Sequence, residues 1–380
     1  MSSDTPRFRH TPEAGALPPS LQERLQRQGI SRRGFLKFCS ALTSALALAP
    51  ALMPQLAHAL ATARRPSVIW ISFQECTGCT ESITRSHFPT IEGLIFNQIS
   101  LDYHHTLQAA AGHQAEAARE AAMQAFDGEY LLLVDGSIPY GDEGVYSTIA
   151  GISNLQMLQE TVKGAAAVIS IGTCAAYGGL PQANPNPTGA RGVEELMQMG
   201  AIERKPLVNI PGCPPIPLVM TGVIAHYLAF ATLPALDHLK RPKAFYGETI
   251  HDRCYRRTFY DQGKFAKTFD DQGARLGWCL YKLGCKGPTT YNACATLKWN
   301  DGTSFPIESG HGCIGCSEPK FWDAGSFYKS LSTPIAAKSV ATAAVAAGAA
   351  IGIASALHSR EQRNAARSQH QTVTIHDLEK

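Results

Sequence analysis

Between about Arg64 and Leu239 the chain alternates short, continuous apolar runs with longer mixed stretches. Val68-Ile69-Trp70-Ile71-Ser72, Tyr130-Leu131-Leu132-Leu133-Val134, Ala167-Val168-Ile169-Ser170-Ile171 and Leu207-Val208-Asn209-Ile210 predict strands. Runs apolar on both faces, rather than alternating, fit a parallel sheet covered on each side. Helices are predicted between them, around Gln108–Phe126 and Gly192–Met199. The expectation over 64–239 is therefore an α/β fold, a flavodoxin-like doubly wound domain. From 240 to 330 the pattern changes: Gly, Pro, Asp and Asn become frequent and long apolar runs disappear. That second, largely irregular domain has little core of its own, so something other than apolar burial must order it.

The ends of the chain have a different pattern. Ser31-Arg32-Arg33-Gly34-Phe35-Leu36-Lys37 resembles the twin-arginine export signal; an apolar stretch from Phe38 to Leu56 and the small-x-small sequence Ala57-His58-Ala59 follow it. Residues 1–61 are thus expected to be a signal region, cleaved near Ala59, and an amphipathic N-terminal helix is the alternative. Cys39 lies inside it, and its neighbour Phe38 does not fit a lipid-attachment site. Near the other end, 339–357 carries no charge over 19 residues, nine of them Ala. As a helix it spans about 28 Å, close to a bilayer's hydrocarbon thickness. The alternative, a soluble Ala-rich helix, requires a polar face that this segment lacks. Lys338 precedes it, and Arg360, Arg363 and Arg367 follow. The positive-inside rule then predicts a cytoplasmic tail over 358–380, with the body on the periplasmic side of the inner membrane. Gly348 and Gly352 have the spacing that lets a second helix approach.

Composition narrows the function. Of 380 residues, 44% are hydrophobic and 17% charged, which excludes a disordered or fibrous chain. Lys and Arg number 34 against 31 Asp and Glu, and a net +3 gives no reason to expect nucleic acid. The unusual feature is 11 cysteines beside 13 histidines. In an exported protein, thiols suggest disulfides. The twin-arginine route resembles a channel for proteins folded beforehand in a reducing cytosol, which favours metal ligation instead.

The cysteines fall in three groups. Cys76 and Cys79 follow the first predicted strand, Cys174 the strand ending at Ile171, and Cys213 the strand ending at Ile210. The carboxyl edge of an open α/β sheet is where ligands bind. Four thiolates converging there suit a cubane 4Fe-4S cluster, although zinc also uses C-x-x-C. Gly78, Gly172, Gly178 and Gly212 are expected to let backbone N–H groups reach the cluster sulfurs. The second group is His251 and Cys254 with Cys279 and Cys285, one imidazole and three thiols for an iron–sulfur cluster or a zinc ion. The third is Cys294, Cys313 and Cys316, three thiols with no obvious fourth. They suit a 3Fe-4S cluster or an incomplete zinc site, with Pro306 unable to ligate.

Beyond the cysteines, longer motifs carry a resemblance. ECTGCTES (Glu75–Ser82), GTCAAYGG (Gly172–Gly179), NIPGCPP (Asn209–Pro215), HDRC (His251–Cys254), GCKGP (Gly284–Pro288) and GHGCIGCSEPKFWD (Gly310–Asp323) are similar to the small subunits of membrane-bound nickel–iron uptake hydrogenases. The likeness covers roughly Pro66 to Ser330. It implies a proximal 4Fe-4S cluster on Cys76, Cys79, Cys174 and Cys213, and a medial 3Fe-4S cluster on Cys294, Cys313 and Cys316, with Pro306 where a fourth ligand would stand. It further implies a distal 4Fe-4S cluster on His251, Cys254, Cys279 and Cys285. The nickel–iron centre that splits H2 is implied to lie in a separate large subunit. Electrons would pass from it to a membrane haem b protein or an iron–sulfur/membrane subunit, and so to the quinone pool. No residue of this chain is implied to be catalytic. Oxygen-tolerant relatives resemble this chain but carry two further cysteines, where Gly78 and Gly179 stand here. The implication is a standard proximal cluster and oxygen-sensitive activity. Glu75, beside that cluster, is open to a structural hydrogen-bonding role or one in proton exit.

Two rival readings remain. The cluster-bearing subunit of NADH:quinone oxidoreductase is similar in its proximal domain but needs neither the His251 group nor the Cys294 group. A non-enzymatic exported protein with five disulfides is allowed by the ten cysteines left after signal removal.

Overall fold

A computed structural model describes residues 32–45, 49–54, 56–57, 65–87 and 89–325. Residues 1–330 form one compact unit and 331–380 a second, which lies wholly outside the described residues. The expected membrane helix at 339–357 and the tail at 358–380 fall there. Among the described residues no helix is long and apolar enough to cross a membrane.

Five parallel strands form the central sheet: β1 (Ser67–Ser72), β2 (Ser100–His104), β3 (Tyr130–Asp135), β6 (Ala165–Ile171) and β7 (Leu207–Ile210). A separate antiparallel pair, β4 (Thr148–Ile149) and β5 (Ile152–Ser153), lies between β3 and β6 in the chain. The order across the sheet is β2-β1-β3-β6-β7, the flavodoxin-like arrangement. Four strands were legible as continuous apolar runs. The edge strand β2, Ser-Leu-Asp-Tyr-His, was not, because it is paired only with β1 and three of its five residues stay partly accessible. Its Asp102 accepts hydrogen bonds from the hydroxyls of Ser67 (2.5 Å) and Ser100 (2.7 Å).

Alternate residues of each strand feed two cores. Ile69, Ile71, Leu132, Val134 and Val168 pack with α3 (His113–Ala125), α4 (Asn154–Val162) and α6 (Val193–Gln198). On the opposite face Val68, Trp70, Leu131, Leu133, Ile169 and Val208 pack with α7 (Pro217–Phe230) and with the cysteine-bearing segment. Helix α7 is apolar on every side, as a helix between a sheet and a second layer must be. It opens on Pro217, whose missing N–H costs nothing at a helix start. Helix α1 (Arg32–Ala45), in the predicted signal region, buries Phe35, Cys39 and Thr43 at i, i+4 and i+8.

Register aligns the carboxyl ends. Ser72 pairs with Asp135, Asp135 with Ile171, and Ile171 with Ile210, so four strands stop on one row. Chain direction across the sheet reverses between β1 and β3, a topological switch point where such folds bind ligands. Among the described residues beyond 240 only short helical turns occur, of five residues at most, with isolated bridges in place of ladders. Cys254, Cys285, Cys294 and Cys313 are nonetheless part of the same apolar core as the sheet.

Candidate functional site

Every cysteine is a free thiol, so none is spent on a disulfide. The first group gathers past the row of strand ends. After β1 the chain is held to β3 by Phe73 N–H donating to Asp135 O (2.9 Å) and Gln74 N–H to Ser137 O (3.1 Å). Thr77 then takes φ 64°, costly for a β-branched residue, and opens α2 (Gly78–Thr84). Cys79 sits in its first turn, its Sγ 3.8 Å from Ile171 O at the end of β6. Cys174 is in α5 (Gly172–Tyr177), directly after β6, and Cys213 follows β7.

Space beside these sulfurs is kept by glycine. A Cβ on Gly172, which has φ +84°, would stand 2.5 Å from Cys79 Sγ, and one on Gly179 would stand 2.6 Å from Cys174 Sγ. At Gly78 the corresponding distance to Cys76 Sγ is 3.1 Å. A Cβ on Gly178 would strike the Gln182 side chain, and one on Gly212 the Pro214–Pro215 backbone, so turn packing rather than sulfur requires those two glycines.

The four thiols lie within electrostatic reach of one another. Burial, then Asp135 and the other three cysteines, hold Cys79 well above an ordinary thiol. Burial and the Cys213 charge push Cys174 up to about 12, and burial and Cys76 raise Cys213. Thiols that oppose each other's ionisation in a buried site become thiolates only with cationic charge among them, which is the condition iron supplies. Asp135, fully buried at the switch point, is raised to about 7 by burial, with Glu75 adding to it. Glu75 Oε1 accepts from Thr77 Oγ1 (3.2 Å), and burial raises its carboxyl as well.

The third group is buried more deeply. Cys294 opens the turn Cys294–Leu297 and is pushed up to about 12 by burial and by Cys313. Cys313 and Cys316 are raised further, again chiefly by burial. Gly315 N–H donates to Cys313 Sγ (3.4 Å). Pro306 is half-buried between buried Phe305 and Ile307. In the second group, Cys254, Cys279 and Cys285 act on one another, and burial raises Cys279 to about 11. A Cβ on Gly287 would meet Cys285 Sγ at 3.5 Å and His251 N at 3.7 Å, which places His251 beside that thiol. His251 packs edge-on against Tyr260 at 4.6 Å. Burial and Arg257 push its pKa below the ordinary value against Asp252 and Asp261. A neutral imidazole is the form that ligates metal.

The order of the groups is legible only in the tertiary structure. Thr173, next to Cys174, donates its hydroxyl to Cys316 O and accepts from Gly212 N–H (2.9 Å). Cys213 and Cys316 also act on each other electrostatically. On the far side, Cys313 N–H donates to Cys285 Sγ (3.3 Å). The Cys294 group therefore lies between the other two. Thr173 and Asp135 carry no signal in single-sequence patterning, because their roles depend on what the sheet brings beside them. Among the described residues no three His, Cys, Asp or Glu side chains close around a single-ion centre.

The family model for the NADH ubiquinone oxidoreductase 20 Kd subunit matches residues 76–227, and that for the C-terminal region of NiFe/NiFeSe hydrogenase small subunits matches 246–329. The chain is 52% identical over 309 residues to the uptake hydrogenase small subunit of Azotobacter vinelandii, covering 81% of this chain and 85% of that one. It is 45% identical to the hydrogenase-1 small chain of Escherichia coli, over 90% of this chain and 93% of that one. A NiFeSe hydrogenase structure from Desulfomicrobium baculatum superimposes with a TM-score of 0.66 at 35% identity, over 70% of this chain and 100% of that one.

Proposed function

The chain belongs to the family of nickel–iron uptake hydrogenase small subunits, and on that premise we propose that it carries three iron–sulfur groups in a line. As an electron-transfer subunit of a hydrogenase it pairs with a large subunit holding the nickel–iron centre. Cys76, Cys79, Cys174 and Cys213 would hold the proximal 4Fe-4S cluster. Cys294, Cys313 and Cys316 would hold the medial 3Fe-4S cluster, and His251, Cys254, Cys279 and Cys285 the distal 4Fe-4S cluster. When bound, such clusters supply one-electron carriers whose potentials follow ligand type, charge and burial.

The observation that carries this reading is the pair of joints, Thr173 with Cys316 and Cys313 with Cys285, which puts three thiol groups end to end. The residues fit the groups in chemistry as well. Glycines leave room beside the sulfurs, buried thiols need cationic charge, and His251 is held neutral. The chain's own task is to fix these ligands and to limit water at them: Cys76 is exposed, Cys79, Cys174, Cys213 and His251 are half-buried, and Cys254, Cys279, Cys285, Cys294, Cys313 and Cys316 are buried. The oxidoreductase model stops at 227, before His251 and Cys294, so that rival accounts for only one of the three groups.

The remaining parts of the reading rest on sequence. They are export by the twin-arginine route, a helix at 339–357 in the inner membrane, and a periplasmic body. The acceptor is a haem b or iron–sulfur membrane protein feeding quinone. The division into 64–239 and 240–330 belongs to the same reading. With Gly78 and Gly179 in place of cysteines, H2 oxidation by the holoenzyme is expected to fall on admission of air; turnover in air at the anaerobic rate contradicts the standard proximal cluster.

Low-temperature EPR of the oxidised, anaerobically purified heterodimer tests the assignment. A 3Fe-4S signal that vanishes in Cys294→Ala is expected. Its absence from the unmodified enzyme removes the medial site.

A further inference from the structure

Among the described residues Lys286 is the single buried lysine, with 2% of its surface accessible. Enclosing an ammonium is costly unless negative charge compensates it. Its position is specific. Lys286 directly follows Cys285, a distal ligand in the proposed assignment, and its N–H donates to the carbonyl of Cys313, a medial ligand, at 2.7 Å. Its carbonyl accepts from Thr290 Oγ1 (2.7 Å) and from Thr289 N–H (3.0 Å), which fixes the backbone from the other side. The aliphatic stem lies along the Cys313–Cys316 loop, for a Cβ on Gly315 would stand 3.4 Å from Lys286 Cδ. The side chain thus starts at one ligand set and runs along the other, at the joint where Cys313 N–H reaches Cys285 Sγ. The charges of Cys313 and then Cys285 act on its ammonium and oppose in part the loss of basicity that burial brings.

We propose that Lys286 is a fixed positive charge at the medial–distal junction that favours the reduced state of both groups. This rests on the cluster assignment above. Reduction adds a negative charge to each cluster, and a cation enclosed between them stabilises that charge more than a solvated one can, because little water screens it. Lys286 is a tuning residue and takes no part in bond making; no proton or ligand need change place for it to act.

The test is an EPR-monitored redox titration of the holoenzyme with Lys286→Met and Lys286→Arg. At the wild-type medial midpoint, the reduced-to-oxidised ratio in Lys286→Met is expected to fall about tenfold, a midpoint lowered by about 59 mV for a one-electron couple. The distal midpoint moves the same way, the proximal least, and Lys286→Arg stays close to wild type. Intact signals with an unmoved medial midpoint in Lys286→Met overturn the proposal while leaving the assignment standing. Should Lys286→Met lose its clusters, Lys286→Gln beside Lys286→Arg decides. A lowered midpoint in Gln but not in Arg supports the charge; equal behaviour of the two, including loss of clusters in both, overturns it. An unmodified enzyme without a 3Fe-4S signal removes the assignment itself, and this inference with it.

Discussion

The sheet region and the cysteine region share one core but reach it by different means. From 65 to 239 the strands pair in register over several residues, and nearly every side chain of β1, β3, β6 and β7 is buried on one face or the other. From 240 to 325 no strand ladder forms among the described residues, and the helical turns are too short to be stable alone. What this region buries instead includes all six of its cysteines. One region is ordered by apolar area and backbone pairing. The other, which holds two of the proposed groups, is ordered by docking on the core shared with α7 and the sheet and, in our proposal, by ligand bonds.

Withdrawing iron should therefore separate them. After anaerobic chelation of the purified heterodimer, amide exchange across 246–325 is expected to lose its protection wholesale, because ligand binding there is folding free energy. β1, β3, β6 and β7 should keep theirs, and equal loss in both regions would end the distinction. Smaller in effect, Leu132→Ala, a fully buried centre of β3, should cost about 2–5 kcal/mol by cavity formation. Denaturant melting should register that loss with all EPR signals intact. Gly172→Ala reverses the pattern. Its methyl group would meet Cys79 Sγ at 2.5 Å at a backbone φ of +84°, and iron retention at the proximal site should fall about 10–100-fold. The medial 3Fe-4S signal should survive, and an unaltered proximal spectrum would deny that the glycine keeps the sulfur's space. Least of all, Thr249→Ala removes a capping box in which Thr249 Oγ1 accepts from Asp252 N–H (3.2 Å). A loss of about 1 kcal/mol is expected, confined in amide exchange to the turn bearing His251.

Much of this was legible in the residues. The four central strands announced themselves because burial on both faces demands continuous apolar runs. The eleven ligand candidates stood out because thiols and one imidazole have few other uses in such numbers, and the place of Cys76, Cys79, Cys174 and Cys213 after strand ends pointed to the carboxyl edge. Edge strand β2 escaped notice because partial solvent access lets it carry Ser and Asp. Helix α7 escaped because a helix apolar all round has no period to read. Which glycines keep space beside a sulfur, namely Gly78, Gly172 and Gly179, depends on neighbours that sequence spacing does not reveal.

By itself, then, the amino-acid order offered the side chains that could bind metal and a grouping of them into three sets, and it determined what class of sheet precedes them. Those are properties of residue chemistry and local periodicity. The tertiary structure alone decided that Cys294, Cys313 and Cys316 stand in the middle, and that Thr173 joins them to one neighbour and Cys313 N–H to the other. It also decided that Lys286 is enclosed at the second joint. These depend on contacts between segments up to 143 residues apart, and distance along a chain carries no record of which turns will meet.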